Sequence, residues 1–513
     1  MKNRTTKSAL LGAATLLSAA VFVPAAAQDA KDTLRVAMYQ NATTLGDVYG
    51  FNYVWPHMYW WEGSYDSFVR IDDKGQVLSF AAEKWENLNP TTWRVTFRKD
   101  ITFWSGRKND AANVVKAFDY LTSEAGKAAG IMRSMKIASY KAIDSHTVEF
   151  VTRDPDPMFH SKLAAFYVVD MTAFTELGVK NFAVKPVASG PFKILSWTDQ
   201  EQVSTAFDQS WRPAKVKNMR ILNVPEAPTR LAALESGQVD LVFNLGPDDV
   251  PRVRAAGHAA AIEVSPYSDA IQMFTIDFAK KWGGKPPFAD RRVRQAANYA
   301  VNKEAMTKQL LGGLAKPVGQ PAFSTIFGYN PDVKPYPYDP VKAKQLLAEA
   351  GYPNGFSTLM QTRTVTGAAS SVLQVIAADL AKVGINVEVQ VMPYAEIQKM
   401  VIGSSWNGDM TSQGFFFSPM QDASINFDVY GCETVRPTTV CIPELTQLIR
   451  DQAKEMDVKK RQALLQELMK RSHEEALALF LFEGFDVTGV AKRVKGYKNW
   501  NKVIHYENMS VDG

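Results

Sequence analysis

The stretch Val372-Leu-Gln-Val-Ile-Ala-Ala-Asp-Leu-Ala-Lys-Val-Gly-Ile-Asn-Val-Glu-Val-Gln-Val391 carries two hydrophobic periods in succession. From Val372 to Lys382 the apolar residues recur at helical spacing, and Gly384 ends that run. Ile385, Val387, Val389 and Val391 then alternate with Asn386, Glu388 and Gln390. A period near 3.6 followed at once by a period of 2 predicts a helix that hands the chain directly to a half-buried strand. The same grammar recurs on both sides. Trp93, Val95 and Phe97 alternate with Thr92, Arg94, Thr96 and Arg98 as another strand. Asp339 as N-cap, Pro340 in the first turn and Gly351 past the end bracket a helix with Ala343, Leu346, Leu347 and Ala350 on one face. A further helix starts at Asp290 and is expected to bury Val293, Ala296, Ala297, Ala300 and Val301. Repeated hand-offs of this kind predict α/β layers. Leu477–Phe482 reads as a buried strand so late in the chain that the C-terminus is expected to rejoin an earlier domain.

At 513 residues, with 46% hydrophobic and 22% charged, the chain is globular and too long for one core. Single cores stop growing near ~250–300 residues, so two or three domains are expected. Pro/Gly-rich punctuation at Lys185–Pro191 and Lys280–Pro287 marks candidate boundaries. Lys316–Pro340 reads as a long surface connection, with lid and spacer both open. Lys2, Arg4 and Lys7, the uncharged run Ser8–Pro24 and the small residues Ala25-Ala26-Ala27 predict a signal peptide over residues 1–27, cleaved near Ala27. Loss of those three cations takes the net charge from +5 to +2, so nucleic acid is not an expected partner. The mature chain is expected to be soluble in the periplasm of a Gram-negative cell, without a lipid anchor, because no cysteine lies near the cut. In that oxidising compartment Cys432 and Cys441 are expected to pair as a structural disulfide, worth about 2–3 kcal/mol for so short a loop.

Motifs of catalysis are missing. The sequence holds no G-x-S-x-G, H-E-x-x-H, Walker loop or G-x-G-x-x-G. His473-Glu474-Glu475 begins like a zinc motif but lacks the second histidine, and the six histidines are dispersed. Asp154-Pro155-Asp156-Pro157 reads as turns. No catalytic residue, resident metal or cofactor is therefore expected, and a secreted hydrolase is the less favoured alternative.

Four segments, in order, resemble one family. Phe80-Ala-Ala-Glu-Lys-Trp-Glu followed by Trp93-Arg-Val-Thr-Phe-Arg-Lys-Asp-Ile-Thr-Phe-Trp-Ser-Gly-Arg107 is the first, and Ala188-Ser-Gly-Pro-Phe-Lys-Ile-Leu-Ser-Trp197 the second. Pro286-Pro-Phe-Ala-Asp-Arg-Arg-Val-Arg-Gln-Ala and Tyr338-Asp-Pro-Val-Lys-Ala-Lys-Gln-Leu-Leu-Ala-Glu-Ala-Gly-Tyr352 complete the set. Together they resemble the periplasmic solute-binding proteins of the peptide/nickel ABC-transporter family, also called family 5 or cluster C, across nearly the whole mature chain. The resemblance implies an α/β, bilobal periplasmic-binding-protein fold with an extra subdomain inserted in lobe one. Lobe one would comprise residues 32–74, 187–273 and 485–513, the insertion 75–186 and lobe two 274–484, with a hinge near Met273 and Gly484. It also implies a monomer that closes on a small peptide or peptide-like solute and delivers it to ABC-transporter permease subunits in the inner membrane. An opine, oligosaccharide, aromatic acid or nickel chelate is the alternative cargo.

Dipeptide-binding members hold the ligand carboxylate with an arginine and its ammonium with an acid. Arg363, in Gln361-Thr362-Arg363-Thr364, matches the arginine's place. Where those members carry the acid, this chain has Gly414-Phe415-Phe416-Phe417-Ser418-Pro419, so Ser418 replaces it unless Asp422 is brought in. Phe415, Phe416 and Phe417 are candidates for an aromatic wall, with a core-facing strand the other reading. Tyr49, Gly50, Phe51 and Asn52 are further pocket candidates by the same resemblance, whereas Trp60 and Trp61 are expected in the core.

Overall fold

The computed structural model describes residues 32–42, 44–46, 48–49, 57–126, 135–363, 368–427, 432 and 440–512. The expected signal peptide lies outside these residues. The largest sheet has eleven strands. Its order runs from Phe192–Trp197 through Glu201–Ala206, Asn218–Asn223, Thr33–Met38, Leu241–Val242 and Leu479–Val490 to Ala259–Met273. It continues through Met410–Ser412 and Phe356–Arg363 to Ile385–Met392, with Phe415–Phe416 also beside Ala259–Met273.

Two strands are long enough to serve both ends of this sheet. Ala259–Met273 and Leu479–Val490 run antiparallel over 15 and 12 residues. At one end Val490 and Gly489 pair with Leu241 and Val242, while at the other Ile271–Met273 pair with Met410–Ser412. Between the two ends the register breaks. Val264 faces Phe485 and Ser268 faces Glu483, so Ser265, Pro266 and Tyr267 bulge opposite the single residue Gly484. A bulge bends and twists its strand, and here it divides the sheet into two lobes. The break comes ahead of Met273, because Ile271–Met273 are already committed to the second lobe's ladder.

In the first lobe Thr33–Met38 lies between two parallel neighbours, Asn218–Asn223 and Leu241–Val242. A four-stranded antiparallel sheet of Ala82–Asn89, Thr92–Phe97, Thr147–Thr152 and Ile137–Ala142 is inserted into this lobe. The alternation read from the sequence turns Trp93, Val95 and Phe97 inward, and they share one core with Leu34, Val36, Met219 and Leu241. The C-terminal tail returns to the first lobe, where Glu507 pairs with both Arg70 (3.0 Å) and Arg212 (3.0 Å). Burial opposes ionisation of Glu507, but Arg212 and Arg70 outweigh it and hold this carboxyl well below the usual range.

In the second lobe the helix Ala368–Ala381 hands over through Gly384 to Ile385–Met392, which pairs in parallel with Phe356–Arg363. Ile376, Leu380, Ile385, Met360 and Met410 form its core. Asp290 and Asp339 cap their helices as expected, accepting from the amides of Arg292 and Lys342. Lys316–Pro340 is a core cover rather than a lid. Val318, Ala322, Phe323, Ile326 and Tyr336 are buried with Phe415, Leu468 and Phe480. Cys432 and Cys441 form the expected disulfide.

The hinge has a steric requirement. A Cβ on Gly484 would stand 2.7 Å from the Tyr267 carbonyl oxygen. Gly484→Ala is therefore expected to lower stability by about 1–3 kcal/mol through strain in a packed site. The check is a lower urea midpoint with unchanged slope; an unchanged midpoint would show that the crossing does not need glycine.

Candidate functional site

Strand parity decides which side chains reach the space beside the hinge. Ser268 and Ala270 point into the second lobe's core, where Ser268 Oγ donates to the Pro321 carbonyl at 2.8 Å. Tyr267 and Asp269, on the alternate positions, face the other way and stay partly exposed. The neighbouring Phe415–Phe416 follows the same rule. Phe415 and Phe417 are buried in that core, with ring centroids 6.2 Å from Phe480 and 5.5 Å from Phe323. Phe416 is turned outward, 49% exposed, with its ring 4.6 Å from that of Tyr267. The Tyr267 hydroxyl accepts the Gly414 amide at 3.2 Å, which holds the phenol over this loop.

Arg363 is the last residue of its parallel strand and is exposed, directly after the buried Thr362. Its charge acts on Tyr267 and Asp269 in the crossing strand and on Tyr39, which follows the first lobe's Thr33–Met38. Burial raises the Asp269 carboxyl to about 6, against the opposing influence of Tyr267 and Arg363. Arg363 is thus electrostatically coupled to Asp269, Tyr267 and Tyr39, and Phe416 packs on Tyr267. On the first-lobe side of the bulge another acid is half-buried. Burial lifts Glu263 to about 7, although Asn499 Nδ2 and Tyr497 Oη donate to it at 2.6 and 3.2 Å. Asp486, its partner in register, is paired with Lys502.

The other residues singled out in the sequence are placed differently. Tyr49 is buried in the first lobe, where its hydroxyl donates to the Tyr167 carbonyl at 3.2 Å. Gly50, Phe51 and Asn52 lie outside the described residues. Ser418 Oγ donates to the Asn501 carbonyl at 3.3 Å, linking the second lobe to the C-terminal tail. Asp422 is buried and committed to Arg461, with contacts of 2.6 and 2.9 Å, and it caps Ser424. Both of its carboxylate oxygens are engaged and the residue is buried. Tyr267 and Asp269 were not singled out from the sequence; the period-two pattern around Pro266 was the available signal.

Two other features do not compete. His473 is spent on Tyr336, stacked at 4.1 Å, and on the Gly319 carbonyl at 2.8 Å. Among the described residues no three His, Cys, Asp or Glu side chains are grouped so as to hold a metal ion. A cavity of about 490 Å³ lies at the opposite end of Phe356–Arg363, lined by Ser357, Thr358, Asn386 and Glu388. Its lysine, Lys281, is already paired with Asp409 at 2.6 Å. Solutes in open α/β sheets bind outside the carboxyl ends of the strands, the end that carries Arg363.

Two α/β lobes joined by a pair of crossing strands, with charged and aromatic side chains beside the crossing, fit a solute-binding protein of the hinge-closing class. The chain belongs to the bacterial extracellular solute-binding proteins, family 5, whose model (family 5 Middle) matches residues 76–430. It is 31% identical over 389 residues to the glutathione-binding protein GsiB of Shigella flexneri serotype 5b, covering 74% of this chain and 73% of that one. The GsiB of Pectobacterium atrosepticum is 28% identical over 334 residues, 64% of this chain and 63% of its own length. Among solved structures, the periplasmic binding protein DppA from Helicobacter pylori, in complex with the peptide STSA, superposes with a TM-score of 0.79. It has 22% identity and covers 95% of this chain and 99% of that one.

The commitment of Asp422 can be measured. Burial would raise its carboxyl, but Arg461 outweighs burial and lowers it. A lowered folded value gives stability that is present above the unfolded pKa and lost as pH falls through the folded one. Asp422→Ala is expected to cost about 3–5 kcal/mol at pH 7, as for removal of one partner from a buried pair. In urea unfolding from pH 7 to 2, the gap to the parent chain should narrow toward the acid end. A small, pH-independent gap would contradict the pairing.

Proposed function

We propose that this chain captures a small peptide or peptide-like solute in the cleft between its lobes and hands it to the membrane permease of an ABC importer. The observation that carries this reading is Arg363. It is an exposed guanidinium at the carboxyl end of a parallel strand, electrostatically coupled to groups on the crossing strand and on the first lobe. Its planar fork suits a carboxylate, and Tyr267 and Phe416 beside it offer an apolar wall for a side chain. Relatives named for glutathione or solved with a bound tetrapeptide support this class of cargo.

In this reading lobe one comprises about 32–74, 187–264 and 485–513, with 75–186 inserted, and lobe two about 268–483. Closure would pivot at Ser265–Tyr267 and Gly484. The site works by binding alone and has no catalytic residue. The chain acts as a monomer in the periplasm after loss of residues 1–27.

A thermal-shift screen of glutathione, dipeptides and tetrapeptides is expected to raise the melting temperature, because a solute that binds only the folded state stabilises it. Arg363→Ala should weaken a stabilising peptide by about tenfold or more, the loss of one charge-assisted contact, and should spare a C-terminally amidated analogue. Equal affinity of parent and variant for the free-carboxylate peptide would remove Arg363 from the site. Stabilisation by oligosaccharides or nickel chelates alone would replace the peptide reading.

A further inference from the structure

The position of an acidic anchor in this family's dipeptide binders is taken here by Ser418, and the nearest loop acid, Asp422, is held by Arg461. A free ammonium entering the cleft would then lose its water without compensation unless another carboxylate meets it. One is in place. Asp269 sits two residues beyond the bulged Pro266-Tyr267, on the strand face opposite the one that buries Ser268 and Ala270. It is partly exposed, and no lysine or arginine among the described residues forms an ion pair with it. Tyr267, two residues back on the same strand, and Arg363, at the end of a strand one removed across Met410–Ser412, both act on it electrostatically. The outward ring of Phe416 closes the side next to Tyr267.

We propose that Asp269 is the ammonium anchor of the cleft and that, with Arg363 as the carboxylate anchor, it restricts the cargo to small zwitterions bearing a free amine and a free carboxylate. This rests on the solute-binding reading above and specifies its substrate class. The hinge strand, rather than the loop before the disulfide, therefore carries the selectivity for the amine. A cation seated between Asp269 and the rings of Tyr267 and Phe416 is met by charge on one side and π-faces on the other. Because Asp269 lies next to the bulge, the same contact draws on the segment about which the lobes pivot.

The test uses the full mature chain with three probes: Ala-Phe, N-acetyl-Ala-Phe and Ala-Phe-amide, titrated calorimetrically against the parent chain and Asp269→Asn. The parent is expected to bind Ala-Phe about tenfold or more tightly than N-acetyl-Ala-Phe, the effect of one charge-assisted contact. Asp269→Asn is expected to bind the two equally, while keeping its preference for the free carboxylate over the amide. Burial already disfavours the charge on Asp269, so the unliganded variant should melt no lower than the parent. If the variant still discriminates against the acetylated peptide, or the parent never does, the assignment of Asp269 is overturned while solute binding stands. Stabilisation by oligosaccharides or nickel–histidine, with no heat from Ala-Phe, likewise overturns it and leaves a binding protein for another cargo. Absence of stabilisation by any solute fails the binding reading itself and the anchor with it.

Discussion

Everything distinctive in this molecule depends on the pairing of Ala259–Met273 with Leu479–Val490 across a broken register. Two strands must supply backbone hydrogen bonds to both lobes, yet three residues on one stand against one residue on the other. The mismatch bends the ladder where it passes between lobes and fixes which alternate residues emerge beyond it. Ser268 and Ala270 fall on the core side, so Tyr267 and Asp269 fall on the opposite, partly exposed side. Gly484 makes this possible because any side chain there would meet the Tyr267 carbonyl. In the proposed reading, hinge and binding surface are one structure, and a solute that touches Asp269 touches the pivot.

The remaining contacts keep the lobes as units and bring them together along one loop. In the first lobe, Glu62, Asp66, Arg70, Arg212 and Glu507 join three stretches of sequence far apart in the chain, so the C-terminal tail is held by buried charge as well as by packing. Breaking one member would strand its partner in the interior. From the second lobe, the Ser418–Asn426 loop reaches across. Ser418 bonds the Asn501 carbonyl, Ser424 Oγ lies 2.9 Å from Met158 Sδ, and Met420 packs in the first lobe's core. These contacts belong to the lobes as they face one another here, and they are the ones a wider opening would exchange for water.

Most of the fold was legible in the sequence because periodicity survives tertiary context when one face is fully buried. Trp93-Val95-Phe97 and the helix capped by Asp339 are read directly, as is the hand-off through Gly384. The site was less legible. Arg363 stood out through its motif, but three consecutive phenylalanines could not be sorted until strand parity sent Phe415 and Phe417 inward and Phe416 out. Tyr49, an attractive aromatic by position, is spent on the Tyr167 carbonyl inside the core. Alternation around Pro266 puts Tyr267 and Asp269 on one strand face, but only the bulge opposite Gly484 shows where that face lies relative to the two lobes. Only the partners of Asp422 show that the nearest loop acid is already occupied.

The central claim is that the solute lies at the hinge, between Arg363 and the crossing strand. A crystal structure grown with Ala-Phe tests it most directly. Density bounded by Arg363, Asp269, Tyr267 and Phe416, with the peptide carboxylate on the guanidinium and the amine toward Asp269, is the predicted result. Density instead in the cavity beside Ser357, Asn386 and Glu388, at the far end of the same strands, would contradict it.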